Sequence, residues 1–312
     1  MSMAGEIYDI EKLSYAKIQS LDRDKTIFII SISPLEEHGP HLPIGVDAFN
    51  ARFFARHTAE TIIRERPEYD VLLFPMLPLG TQVYRHIGSF YIRPSTLYDI
   101  VYNTGRGLAI YGFKNIFVIS AHGTPRQIVA VEAASRKVSR KDHVNMQSLA
   151  GSLTSKFLSG EFYDKIGEKL GRTFTEEERR LLKYDFHAGW WETSMMLYQY
   201  PELVDDSYKE LKPFLKNLIS GEILTKDKKW LGYFGSPFKA DKEFALASVE
   251  VFTDHTKELI FNALDGQNIT KKVTSPFYKY QIFHPHFKRN AYIGLTIALI
   301  VALGFLLIIS WS

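Results

Sequence analysis

The chain has no cysteine. That excludes disulfides, thiolate metal sites and cysteine nucleophiles together, so any metal it holds is held by nitrogen and oxygen. It also lacks an excess of one charge. Thirty-eight Lys and Arg stand against 35 Asp and Glu, a net of +3 over 312 residues, and their scatter leaves no electrostatic footprint for nucleic acid. There is no Gly-x-Ser-x-Gly elbow, no His-Glu-x-x-His helix and no phosphate-binding Gly-rich loop with Lys, which removes several hydrolase and nucleotide-dependent classes. The opening stretch MSMAGEIYDIEKLSYAKI is charged and lacks the apolar run of a secretory signal.

What is present is a large globular composition: 46% hydrophobic, 14% aromatic and 23% charged residues, enough to fill a sizeable core within one large domain and its additions. The one long hydrophobic run is NAYIGLTIALIVALGFLLIISWS, residues 290–312. It carries no charge, matches the roughly 20 residues that cross about 30 Å of hydrocarbon, and follows Lys288 and Arg289. Tyr292 and Trp311 lie near its ends like interface anchors. The expectation is a C-terminal transmembrane helix over 290–312, a juxtamembrane linker over 271–289 and a hydrolase body over 1–270 that faces the cytoplasm by the positive-inside tendency. An Asn268-Ile269-Thr270 sequon would argue for the other side, but such triplets are common by chance.

Within the body, KTIFIISIS (25–33), YDVLLFPMLPLG (69–80) and KNIFVISAHG (114–123) are apolar runs that give way to Gly or Pro loops. Helical spacing fills 48–65, 95–112 and 126–140, and a further strand falls near 143–150. The alternation predicts an α/β fold of three layers, a mostly parallel sheet flanked by helices with right-handed crossovers. Sites in such sheets form beyond the carboxyl ends of the strands. Residues 160–184 read as a solvated, charge-dense helical insertion with a capping box at Thr175 and Glu178.

The first of these strands runs into SPLEEHGPHLPIGVD (33–47), which delivers Glu36, His38 and Asp47 from a stiff track of proline and glycine. Carboxylate and imidazole without thiolate suit zinc, manganese or iron. His122 follows the 114–123 strand, and His187 with Glu192 opens a helix in HAGWWETS. Three polar clusters at element ends point to one site.

These segments resemble the creatininase (creatinine amidohydrolase) family. EEHGPHLPIGVD, SAHGTP, HAGWWETSMML and, more loosely, GYFGSPFKADKEFA (232–245) are similar to its successive motifs across roughly residues 10–260. The resemblance implies one or two divalent ions, zinc, manganese or iron, and hydrolysis of a non-peptide amide. Carried over by position, Glu36, His38, Asp47 and His122 are metal ligands, with Asp47 bridging two ions and Glu192 adding a carboxylate. His187 is the proton-transfer residue. His86, Thr124 and Trp190 are substrate-contact candidates.

Thr124 stands where creatinine-hydrolysing members carry an acidic ligand, and Glu37 stands where Gln is common; both argue against creatinine as the substrate and leave the second metal position open. A cyclic amide or a formamide fits better, and the family includes a formylamino-pyrimidine deformylase of flavin and deazaflavin biosynthesis and members that act in peptide-cofactor maturation. The resemblance also implies a homo-oligomer. The competing readings are a non-catalytic membrane-tethered scaffold that keeps the fold, and a phosphohydrolase, for which only Arg85, Arg93 and Arg126 lie close in sequence. His57, His143, His255, His284 and His286 read as structural or juxtamembrane residues.

Overall fold

The computed structural model describes residues 5–216, 230–287 and 290–296. Five strands, β1 (Ile7–Asp9), β2 (Thr26–Ser31), β3 (Asp70–Leu73), β4 (Asn115–Ile119) and β5 (Asn145–Ser148), form one parallel sheet in the order β1-β3-β2-β4-β5. The three-residue β1 has no counterpart in the sequence reading; it is half-buried at the sheet edge. The helices are α1 (Tyr15–Ser20), α2 (Val46–Glu65), α3 (Pro94–Ile110), α4 (Pro125–Asp142), α5 (Ala150–Leu158), α6 (Tyr163–Lys169), α7 (Glu176–Lys183), α8 (Trp190–Gln199), α9 (Lys242–Leu264) and α10 (Thr270–Val273). Proline at the first helical position starts α3 and α4, where the missing N–H costs nothing.

All six side chains of β2 are buried, as expected when helices cover both faces of a sheet. Alternate residues divide between two cores. Phe28 and Ile30 pack with Leu97, Val101, Ala130 and Val138 from α3 and α4, while Ile27 and Ile29 pack with Ala55, Ile62, Leu259 and Ile260 from α2 and α9. A third core is aromatic and joins α5, α6, α7, α8 and α9 through Phe157, Phe162, Phe174, Trp190 and Phe252.

That core corrects the reading of 160–184 as a solvated insertion. The Thr175 and Glu178 capping box is present, but Phe162, Tyr163, Ile166, Phe174, Leu181 and Leu182 are buried. The charges occupy only the outer face. Residues 271–287 pack on the body, with Val273 buried and the Glu132 carboxylate accepting from Ser275 N (2.8 Å) and Ser275 Oγ (3.0 Å). Residues 290–296 are helical and exposed. Lys288, Arg289 and 297–312, most of the expected membrane segment, lie outside the described residues. Among the described residues no helix is long and apolar enough to cross a membrane.

Candidate metal centre

β2 and β4 are neighbours in register, Ser31 opposite Ile119. Their connections leave on opposite faces of the sheet, β2 through α2 and β4 through α4. The crevice between their carboxyl ends is therefore the switch point where parallel sheets place ligands. Ser33 Oγ accepts from Ala121 N (3.0 Å), which ties the two loops together.

The loop after β2 is closed by Glu36 N donating to Ile44 O (3.0 Å). Gly39, at φ 70°, supplies the left-handed turn that only glycine adopts without penalty, and this brings the chain back so that Glu36, His38 and His41 are all buried. Asp47 sits in the first turn of α2, where the helix dipole favours a carboxylate. The third segment is shaped by Asp185, whose two oxygens accept from Trp190 N (2.6 Å) and Trp191 N (2.7 Å) and so start α8. Ala188, at φ 48°, makes the turn between His187 and Glu192, and its N–H donates to Glu192 Oε2. The fourth sequence segment backs the third: Phe234 N donates to His187 O (2.8 Å), and Gly232 and Gly235 have positive φ where a Cβ would strike Glu37 Oε2 and Asp185 Oδ1.

Six ligand-grade side chains converge. Glu36, Asp47 and His122 form one group and His38, His187 and Glu192 another, the ligand atoms of each lying within 4.8 Å of one another. Asp47 reaches toward both: Oδ2 is 3.0 Å from His122 Nδ1 and Oδ1 is 3.7 Å from His38 Nε2. Glu36 Oε2 is 3.1 Å from His122 Nδ1, and Glu192 Oε2 is 3.5 Å from His38 Nε2.

The hydrogen bonds orient the rings. His38 Nδ1 donates to Glu36 O (2.9 Å) and His122 Nε2 to Thr81 O (3.2 Å). In neutral rings that leaves His38 Nε2 and His122 Nδ1 as lone pairs facing carboxylates. With both rings neutral, Glu36 Oε2, His38 Nε2 and Asp47 Oδ2 are buried without a hydrogen-bond partner among the described residues. Buried polar atoms are almost always satisfied, and a set of inward lone pairs is satisfied by a cation. The protein's electrostatics say the same. Burial alone would suppress the His122 cation, yet Glu36 and Asp47 outweigh it and raise its pKa to about 9. Burial pushes Glu36 up, while Asp47 is pushed down despite burial by His122 and His38.

His187 Nε2 donates to Glu37 O (2.7 Å) and lies 3.6 Å from Glu37 Oε1. Burial and His38 oppose its cation, but Glu37 and Glu36 leave its pKa raised. His41, which sequence reasoning did not single out, is buried and bonded through Nε2 to Thr193 Oγ1 (2.9 Å), which locks the first loop onto α8. Burial, then His38 and His187, lower its pKa to about 4, so it stays neutral. Asp185 was likewise missed; burial raises it to about 7 against its amide donors. Its signal was a carboxylate five residues before Trp190, beyond the usual capping distance.

A cavity of about 1260 Å³ opens from the centre, with His122, His187 and Glu192 in its wall. Thr124 and His86 also line it; Thr124 Oγ1 donates to Thr81 O (3.2 Å), and His86 lies on the exposed loop at the edge. Trp190 does not line it. That ring is 1% exposed and packs 4.9 Å from Phe244 in the aromatic core, whereas Trp191 faces the cavity. His57 stacks on Phe53, and His255 meets Ser152 Oγ at 2.7 Å; neither belongs to the two ligand groups. His143 caps α4, and His284 meets Tyr278 O.

A sheet with this switch point and a buried centre of histidine and carboxylate defines a metal-binding α/β protein. A family profile described as creatininase, creatinine amidohydrolase, matches residues 11–260, and the chain belongs to that family. Solved structures share the fold at low identity. A manganese creatininase is 17% identical with TM-score 0.60, over 83% of this chain and 99% of that one. A glutamate-to-glutamine creatininase variant of Zn-Zn type is 17% identical with TM-score 0.62, over 82% and 98%. A Bacteroides fragilis protein assigned as a creatinine amidohydrolase is 19% identical with TM-score 0.58, over 85% and 98%. A search of curated proteins finds no match.

Proposed function

We propose that the chain is a metal-dependent amidohydrolase that cleaves a non-peptide C–N bond in a cyclic amide or a formamide. The observation that carries this reading is the pair of ligand groups that share Asp47, with their unpaired lone pairs buried and turned inward. Glu36, Asp47 and His122 would hold one ion; His38 and Glu192, with Asp47 between, would hold a second. A bound divalent ion supplies a water of lowered pKa and polarises the carbonyl. Glu37 O fixes the proton of His187 on Nε2, so Nδ1 is the base that accepts a proton from the attacking water and passes it to the departing nitrogen. The C–N bond breaks: a formamide gives formate and an amine, and a cyclic amide opens to one chain that carries both groups. Thr124 brings no carboxylate to the centre, so Glu36, His38, Asp47, His122 and Glu192 would be the ligands in this chain, and creatinine is not the favoured substrate.

We also place the body at a membrane through 290–312, facing the cytoplasm, as a homo-oligomer; the charge-free run after Lys288 and Arg289 supports the first two and the family resemblance supports the third.

The test is formate release from a panel of formamides and ring opening of a panel of lactams by the full chain. Turnover should vanish with a chelator and return with zinc or manganese. His187→Gln should lower kcat by about 10²–10⁴ while the Glu36, Asp47 and His122 ion is retained. Metal-loaded protein that is inert on the whole panel would refute the reading.

A further inference from the structure

The cavity is too large for a small cyclic amide or formamide alone. At about 1260 Å³ it exceeds the roughly 300–1,000 Å³ of ordinary ligand pockets. A compact cyclic amide would fill only a small fraction of it.

Its lining is also divided. The ionisable residues other than tyrosines come from the motif loops around the centre: Arg85, His86, His122, Asp185, His187 and Glu192. Away from the centre the wall is mostly apolar, with Leu153, Phe157 and Leu158 of α5, Phe252 of α9, and Phe277, Ile282 and Phe283 of the segment after α10; Thr154, Thr256 and Tyr280 add only hydroxyls. Among the described residues none of these three elements contributes an ionisable acid, base or imidazole to the lining beyond the Tyr280 phenol. Ile282 is 51% and Tyr280 50% exposed, so apolar surface stays uncovered beside the opening, and the same segment leads in sequence to the apolar run at 290–312. Water gains little from such a wall, and a hydrocarbon chain gains more.

We propose that the substrate is an amphiphile, with its amide or formamide head at the metal centre and a single alkyl or acyl chain lying along α5, Phe252 and the 277–283 segment. The head rests on the amidohydrolase reading; the tail rests on the cavity alone.

Full-chain protein loaded with zinc would be titrated with alkyl hydroxamates of two, six and ten carbons, all below their aggregation limits, and binding followed calorimetrically. Complete burial gives about fourfold tighter binding per methylene, and a rise of roughly twofold or more per methylene supports the proposal. Leu158→Asp and Phe283→Asp should each cut the ratio of ten-carbon to two-carbon affinity at least tenfold, and Phe283→Leu should restore it. Equal affinity along the series overturns the tail while leaving the metal centre intact. A slope that survives in both aspartate variants is partitioning into surrounding detergent or lipid, and also overturns it. Ten-carbon binding that persists with the same variant sensitivity after chelation, when two-carbon binding never occurs with zinc, supports the tail site and refutes the metal reading separately.

Discussion

Replacing Asp47 should remove both ions, whereas replacing His38 should remove one. Asp47 Oδ2 approaches His122 at 3.0 Å and Oδ1 approaches His38 at 3.7 Å, so its loss takes an anionic ligand from each group. His38→Ala leaves Glu36, Asp47 and His122 untouched. An ion at a thousand times its dissociation constant stabilises the native state by about 4 kcal/mol. For a body of this size that raises Tm by roughly 2 °C per kcal/mol, so one ion gives roughly 7–8 °C. The assay is elemental mass spectrometry beside thermal denaturation, on metal-free and zinc-loaded full chain. Two equivalents and the full increment are expected in the parent, one equivalent and a smaller increment in His38→Ala, and neither in Asp47→Ala. The metal-free Tm of each variant guards against simple misfolding. If Asp47→Ala keeps both ions, or His38→Ala loses both while its metal-free Tm matches the parent's, the shared-carboxylate reasoning is wrong.

In metal-free protein His122 titrates at about 9, above the roughly 6.5 of an unfolded histidine. Its contribution, about 3 kcal/mol, is fully present below pH 6.5 and is lost as pH rises through 9; Glu36, raised by burial, acts in the same direction. Chelated protein should therefore lose Tm across that window while metal-loaded protein does not, and metal affinity should rise as the ring sheds its proton. A chelated Tm that is flat or climbing from pH 6.5 to 9 contradicts this. Glu37→Gln keeps an acceptor for Gly39 N, which Glu37 Oε2 meets at 3.1 Å, but removes the charge that raises His187. The fold should hold, and the acid limb of kcat/KM should move to lower pH; an unmoved limb would show that Glu37 does not tune His187. Gly232→Ala forces a side chain at φ 82° and puts a Cβ 2.2 Å from Glu37 Oε2. The left-handed backbone alone costs about 1–2 kcal/mol. Because truncating Glu37 relieves the contact, Gly232→Ala should cost less stability in a Glu37→Ala background, by about 1 kcal/mol of coupling, and strict additivity would discount the clash.

The sequence and the structure part company where rotation and packing decide. Strand and helix alternation, and the loops that carry Glu36, His38, Asp47 and His122, are legible because period-2 and period-3.6 patterns are local and because proline and glycine mark where a strand ends. Strand order is not local. That β3 lies outside β2, so that β2 and β4 become neighbours, follows from which face each crossover helix covers. The 160–184 segment hid its buried side because charge density was read over the whole stretch, while Phe162, Ile166 and Phe174 form a narrow apolar face completed only by α8 and α9. Trp190 and Trp191 show the same limit at a single bond. Adjacent residues on a helix differ by about 100°, so one ring enters the aromatic core and the other the cavity, and the choice is set by Asp185. Its carboxylate takes the amides of both tryptophans and fixes the rotation of α8, which brings Glu192 within 3.5 Å of His38. The residue that aims a ligand can thus look, in sequence, like an unremarkable acid ahead of a motif.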